Sequence, residues 1–256
     1  MQAASYTDRM IPLHAPNPGP GPRLLALDTA TERIAVALVD GERQWLADEA
    51  GGVLASQRLL PVVFDLLERA GLTLAELDAV AYGRGPGAFT GLRTACSVAQ
   101  GLALGADLPV LAIDSLALVA EDAHAQCGAD AVWVAMDARM DEVYAADYRR
   151  SGADWQALQA PALWTLPALV ATWQALPPRC VAGSALGVFG ARMPTAQATC
   201  IAGQRDRAAA LARLARAAWS RGEAVDAALA LPLYLRDKVA QTTAERAAAA
   251  LAKAAV

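Results

Sequence analysis

Short apolar runs alternate with polar turns along the chain from residue 23 onward. Residues 24–27 are apolar and end at Asp28, and residues 34–39 form a second apolar run. Runs of this length between turn residues predict β-strands. Asp40-Gly41 predicts a tight turn into a third strand at about residues 44–48. The folded part is therefore expected to open with a β-meander.

Helical periodicity begins at Ser56 and continues to Ala70, where Gly71 predicts the end of the helix. Beyond it, apolar runs bounded by glycine or proline alternate with longer amphipathic segments. The elements predicted up to residue 125 are a helix at 56–70, a strand at 77–82, a helix at 90–105, a strand at 109–113 and a helix at 116–125.

The opening pattern recurs in the second half of the chain. A predicted strand at 132–136 ends at Asp137, and a return strand follows at 142–148. Placing Asp28 over Asp137 requires a shift of 109 residues. That shift aligns Ala26 with Ala135, Ile34 with Val143 and Ala37 with Ala146. A duplicated unit constrains the fold strongly, because both copies must build the same supersecondary structure.

Strands interleaved with helices, twice over, predict an α/β fold of two actin-like (ASKHA, ribonuclease H-like) lobes with mixed sheets, the second lobe reduced. The first lobe is expected at residues 23–115 and the second at 116–256. Late helices are predicted at about 205–221 and 243–254. Residues 1–22 hold five prolines between positions 12 and 22, which predicts a disordered, extended leader.

Bulk composition narrows the functional class. The net charge is −4, and proteins that grip nucleic acid unaided are usually basic on one face. No run of 18 apolar residues lacks a charge, so no membrane span is expected. Cys96, Cys127, Cys180 and Cys200 form no Cys-x-x-Cys pair and are interpreted as reduced core residues of a cytoplasmic protein.

Two glycine- or threonine-bearing turns are candidates for phosphate binding. In ATPases of the actin-like fold, the turn after the first strand touches phosphate and its aspartate faces the metal ion. Asp28 and Thr29 occupy that turn here, and the alternative is that they only cap it with local hydrogen bonds. Gly85 and Gly87 suit either a phosphate cradle or a structural turn. The matching turn of the second copy, residues 137–140, has no glycine.

Catalytic side chains are scarce. The only histidines are His14 and His124, which cannot form a metal-binding pair on one helix face. No Gly-x-Ser-x-Gly motif is present. The sequence therefore predicts no catalytic residue, no metal site and no cofactor of its own.

The helix surfaces are more informative than the turns. On the helix at 56–70, apolar residues span an arc of roughly 200°, whereas a helix resting on one sheet needs roughly 100°. The next helix carries no charge from Thr94 to Ala106. Two such neighbouring helices predict an exposed apolar surface covered by a partner, or else by the second lobe or the C-terminal helix.

Four ordered blocks resemble the TsaB (YeaZ) family of glycoprotease-like proteins. They are LLALDTAT at 24–31, AYGRGPGAFTGLR at 81–93 followed by AQGLA at 99–103, MDARMDEVY at 136–144, and PLYLR at 232–236. The Gly-Pro-Gly-x-Phe-Thr-Gly part of the second block does not by itself distinguish TsaB from its catalytic relative TsaD. TsaD, however, is longer and carries a His-x-x-x-His pair, which this chain lacks.

The resemblance implies a non-catalytic subunit of the complex that forms N6-threonylcarbamoyladenosine on tRNAs reading codons that begin with A. It implies TsaD as catalytic partner, the ATPase TsaE as a further subunit, and tRNA contact only through the complex. When alone, the chain is expected to cover its apolar surface by forming a homodimer. A nucleotide is expected, if anywhere, at the complex interface. The candidate partner surface comprises Leu59, Leu60, Val63, Phe64, Leu67, Arg93, Ser97 and Gly101.

Two other functions are considered. A small actin-fold kinase or nucleotide-binding protein needs two phosphate turns and a glycine-rich adenosine pocket in the second lobe, for which residues 181–184 (VAGS) are the one candidate. A peptidase is suggested only by the older glycoprotease name, and no catalytic constellation supports it.

Overall fold

The structure, a computed structural model, describes residues 21–236. The predicted leader lies outside the described residues apart from Gly21 and Pro22, and the helix predicted at 243–254 lies outside them entirely. Gly41 N donates to the Pro22 carbonyl at 3.2 Å, so Pro22 already contacts the first hairpin.

The first lobe is built on a mixed five-stranded sheet. The predicted meander, all three helices and both later strands are present, with bounds that differ by a few residues. The elements are β1 (Arg23–Asp28), β2 (Arg33–Asp40), β3 (Arg43–Ala50), α1 (Ala55–Ala70), β4 (Ala79–Gly85), α2 (Phe89–Gly105), β5 (Val110–Asp114) and α3 (Ser115–Cys127). The strands lie in the order β3-β2-β1-β4-β5.

The second lobe is made of β6 (Ala131–Asp137), β7 (Glu142–Ser151), β8 (Asp154–Thr165), α4 (Leu166–Ala175), β9 (Cys180–Ala182), α5 (Ala185–Phe189), β10 (Thr199–Ile201) and α6 (Arg207–Ser220). It repeats the topology of the first lobe, with strand order β8-β7-β6-β9-β10. Each lobe therefore runs β-β-β-α-β-α-β-α. The second is reduced, since β9 and β10 have three residues each.

Apolar burial arranges these elements in five layers. One core cluster joins α1 and α2 to the outer face of the first sheet. A central cluster joins the inner faces of both sheets to α3 and α6. A third joins α4 and α5 to the outer face of the second sheet. Because α3 contacts strands of both sheets, the lobe boundary at residue 115 stays a prediction.

The internal repeat is real, but the proposed alignment of its first strand is wrong by one residue. Ala26 faces the central cluster, whereas Ala135 faces the outer cluster of the second lobe. A one-residue slip moves a strand's side chains to the opposite face, so Ala26 corresponds to Val134 and Asp28 to Met136. In the return strand the shift of 109 does hold, because Ala37 and Ala146 both face the central cluster. The second hairpin is therefore one residue longer.

The cysteine interpretation needs correction. Cys96 and Cys180 are buried, but Cys127 and Cys200 are exposed. Cys127 is the last residue of α3 and Cys200 lies in β10, an edge strand of the second sheet, and neither position is covered by another layer. No helix within residues 21–236 is long and apolar enough to cross a membrane.

Candidate functional site

A cleft of about 770 Å³ lies where the two lobes meet. Its walls come from the turn after β1, the N-terminal end of α2, the turn between β6 and β7, and residues 233–236 at the end of the segment 231–236. We call residues 231–236 the strap. Arginines outnumber acids among the lining side chains, which include Glu32, Arg33, Asp137, Arg139, Arg207 and Arg236.

Asp28 lies behind this cleft and is fully engaged by neighbouring donors. Its Oδ1 accepts from Arg207 Nη2 at 2.8 Å and Nε at 2.9 Å, and from Ala30 N at 3.0 Å. Its Oδ2 accepts from Ser115 Oγ at 2.8 Å. The side chains of Asp28 and Arg207 are both 0% exposed. This is a complete buried ion pair joining β1 to the first residue of α6.

The ion pair decides how the first turn can act. A metal ion at Asp28 would have to displace a guanidinium that already neutralises the carboxylate in a low-dielectric site. The residues present therefore do not fit a metal-bound nucleotide at this turn. Among residues 21–236, no three or more His, Cys, Asp or Glu side chains are grouped so as to hold a metal ion.

The other candidate phosphate residues are occupied by packing. Thr29 is buried, and its Oγ1 donates to the Gly91 carbonyl at 2.7 Å. A Cβ at Gly87 would lie 2.4 Å from the Ala30 carbonyl oxygen, and Gly85 has φ +110°. Close backbone approach and left-handed geometry account for these glycines without a ligand.

The turn between β6 and β7 has an unusual backbone. Arg139, Met140 and Asp141 have φ of 65°, 57° and 59°, a left-handed conformation that non-glycine residues seldom adopt. Arg236 holds this turn, since its Nη2 donates to the Ala138 carbonyl at 2.9 Å and pairs with Glu142. Tyr144 lines the cleft beside the turn, and burial raises the pKa of its hydroxyl.

The glycine of the candidate nucleotide-binding segment at residues 181–184 is also explained by packing. Gly183 has φ +123°, and a Cβ there would lie 2.3 Å from the Ala135 carbonyl oxygen. Ser184 Oγ accepts from the backbone N of Asp137 at 3.0 Å, which ties the turn to β6.

The apolar arc of α1 divides into two halves. Leu59, Val63 and Leu67 are buried against the first sheet, so including them in the candidate partner surface was wrong. Their side chains pack into the core of the first lobe because that side of α1 lies against the first sheet. Leu60 is 38% exposed and Phe64 is 50% exposed. These two, one helical turn apart, remain available to a partner.

On α2, all the predicted surface residues point outward. Arg93, Ser97 and Gly101 are exposed at successive turns, and no atom lies within 4 Å of the position a Cβ would take at Gly101. Leu104 beside them is 58% exposed. We call Leu60, Phe64, Arg93, Ser97, Gly101 and Leu104 the outer helical face. Tyr234 contacts Arg93 at its edge, and the other members of the face are exposed among the described residues.

Two features of the site were not predicted from the sequence. The PLYLR block of the strap was recognised without any structural role, although it lines the cleft. Arg207 could not be identified from the sequence, because its partner Asp28 is 179 residues away and the residues beside Arg207 form no recognisable motif.

The chain is similar in sequence and fold to several known proteins. The family model "TsaD: tRNA N6-adenosine threonylcarbamoyltransferase" matches residues 49–177. The curated Escherichia coli protein named tRNA threonylcarbamoyladenosine biosynthesis protein TsaB is 47% identical over 128 residues, which cover 50% of this chain and 55% of that protein. Its Haemophilus influenzae namesake is 46% identical over 121 residues, covering 47% and 51%. The chain thus spans about half the length of the curated relatives it matches.

A solved structure supplies the longer match. YeaZ from Pseudomonas aeruginosa superposes with a TM-score of 0.77 at 43% identity, covering 84% of this chain and 100% of that one. A second structure, titled as an uncharacterised protein with similarity to peptidase YEAZ from the same organism, gives a TM-score of 0.78 at 43% identity, with the same coverage. The two-lobed α/β fold agrees with these matches. The chain therefore belongs to the TsaB (YeaZ) family.

Proposed function

We propose that this chain is the non-catalytic, partner-binding subunit of the machinery that forms N6-threonylcarbamoyladenosine on tRNA. Its outer helical face receives a TsaD-type catalytic protein. The observation that carries the proposal is this exposed face in a chain whose relatives are named for that biosynthesis.

The chemistry of the outer helical face suits a helical partner. Leu60, Phe64 and Leu104 have exposed apolar side chains. Ser97 and Gly101, between them, have a small side chain or none. Exposed apolar groups beside small residues let a second helix approach closely and bury both surfaces. A TsaD-type partner that offers similar helices would pair with it face to face.

The cleft supports a non-catalytic role for this subunit. Arg207 neutralises Asp28, the one buried carboxylate at the first turn, so the cleft lacks the metal-facing acid that an actin-fold kinase needs. This argues against the kinase or nucleotide-binding alternative. The same proposal assigns transfer chemistry to TsaD, assigns ATP hydrolysis to TsaE, and has the chain meet tRNA only within the complex, in the cytoplasm. Without TsaD, two copies would cover their outer faces by forming a homodimer.

Reconstitution tests the proposal directly. The full chain is mixed with TsaD and TsaE from the same cell, together with tRNA, ATP and threonylcarbamoyl adenylate as the donor. Transfer of the threonylcarbamoyl group from the adenylate to tRNA, with release of AMP, is followed. We expect no transfer by the chain alone, and transfer by the mixture that falls to background when this chain is omitted. The matching binding measurement is co-purification of the chain with TsaD. Transfer by the chain alone, or undiminished transfer without it, would contradict the proposal.

A further inference from the structure

The strap lines the cleft through residues 233–236 and is hydrogen-bonded to both lobes. On the first lobe, Leu231 N donates to Tyr82 Oη at 3.0 Å, and Leu233 N donates to the Arg84 carbonyl at 2.7 Å. On the second lobe, Arg236 holds the turn between β6 and β7 through the Ala138 carbonyl and Glu142. A change in the spacing of the lobes must therefore move or stretch this segment.

Between its two anchors the strap contacts the outer helical face. Arg93 Nε donates to Tyr234 Oη at 3.0 Å. The guanidinium carbon of Arg93 lies 4.0 Å from the centroid of the Phe89 ring, and the Phe89 and Tyr234 rings are 5.1 Å apart. Phe89 and Tyr234 also line the cleft. One cluster of three side chains thus spans from the cleft wall to the outer helical face.

We infer that Tyr234 is a positioning residue that fixes Arg93 for partner binding, so that the strap couples lobe spacing to the outer helical face. The inference rests on the proposed function, because it concerns the same partner surface. Arg93 is exposed, and a long exposed side chain loses rotamer freedom when a partner immobilises it. Stacking on Phe89 and the bond to Tyr234 hold it in one orientation beforehand, which lowers that cost.

Affinity for TsaD from the same cell tests this inference, measured by calorimetry on the full chain. Tyr234→Phe keeps the ring and removes only the bond to Arg93, and we expect about threefold to tenfold weaker binding with an unchanged Tm. Arg93→Ala should weaken binding at least as much. The double variant should bind like Arg93→Ala alone, because Tyr234 acts through Arg93. Arg69→Ala, an exposed arginine on α1, is the matched control and should bind normally.

A remote variant separates coupling from simple contact. Arg236→Ala removes the strap's anchor on the second lobe, and we expect weaker TsaD binding. In the Arg93→Ala background the same substitution should cause no further weakening. Losses that add in the double variants, or normal binding by Tyr234→Phe and Arg236→Ala, would overturn the inference and leave the proposed function standing. Normal binding by Phe64→Glu would instead show that the partner surface itself is misplaced.

Discussion

Phe64→Glu is expected to abolish binding to TsaD and leave the fold intact. The ring is 50% exposed on the outer helical face, so a carboxylate there stays hydrated in the free chain. Substitutions at such sites change stability by about 0.5 kcal/mol or less. In the complex the same carboxylate would be buried without a partner, which costs several kcal/mol. Binding should weaken at least about a hundredfold, and any homodimer should dissociate to a monomer.

Leu60→Glu and Leu158→Glu sharpen this experiment. Leu60 is 38% exposed one turn earlier on α1, so its variant should also lose TsaD binding, with a somewhat lower Tm. Leu158 is 52% exposed on β8 of the other lobe, where the same chemical change should leave binding unaltered. Binding is measured by calorimetry, folding by thermal melting and assembly by light scattering. If Phe64→Glu folds, self-associates and binds TsaD like the parent chain, the interface lies elsewhere.

The order of elements was predictable from the sequence because each element carries its own period. Alternating apolar runs marked the opening meander, and glycine marked the end of α1, where Gly71 adopts φ 69°. The repeat was visible for the same reason. Its register was not, because a hairpin longer by one residue leaves the pattern of apolar runs intact while turning Ala135 to the opposite face.

The division of α1 into core and surface could not be predicted from its period. A helical wheel shows which residues share an arc, but it does not show where the sheet ends and solvent begins. Leu59 and Leu60 both belong to an apolar arc of roughly 200°, yet one is 0% and the other 38% exposed. Only the position of the first sheet beneath α1 separates them. The strap contacts depend in the same way on chain segments far apart in sequence.

Arg207→Met is expected to destabilise the protein strongly, because it leaves Asp28 as an unpaired buried charge. Removing one partner of a buried ion pair costs about 3 to 5 kcal/mol. For a chain of this size that corresponds to a fall in Tm of about 10 °C. Methionine nearly preserves the length of the side chain, so little of the loss should come from a cavity. Arg69→Met, at the exposed pair with Asp65, should change Tm by no more than a degree or two.

The double variant Asp28→Asn/Arg207→Met distinguishes charge from packing. Asparagine keeps an acceptor for Ala30 N and a polar partner for Ser115, but it carries no charge that needs neutralising. The double variant should therefore recover much of the stability lost by Arg207→Met alone, giving a large coupling between the two sites in thermal or denaturant unfolding. Equal losses in the single and double variants would show instead that Arg207 stabilises the junction of the lobes by packing. A loss of stability in Arg207→Met no greater than that in Arg69→Met would show that the Asp28–Arg207 ion pair does not stabilise the protein.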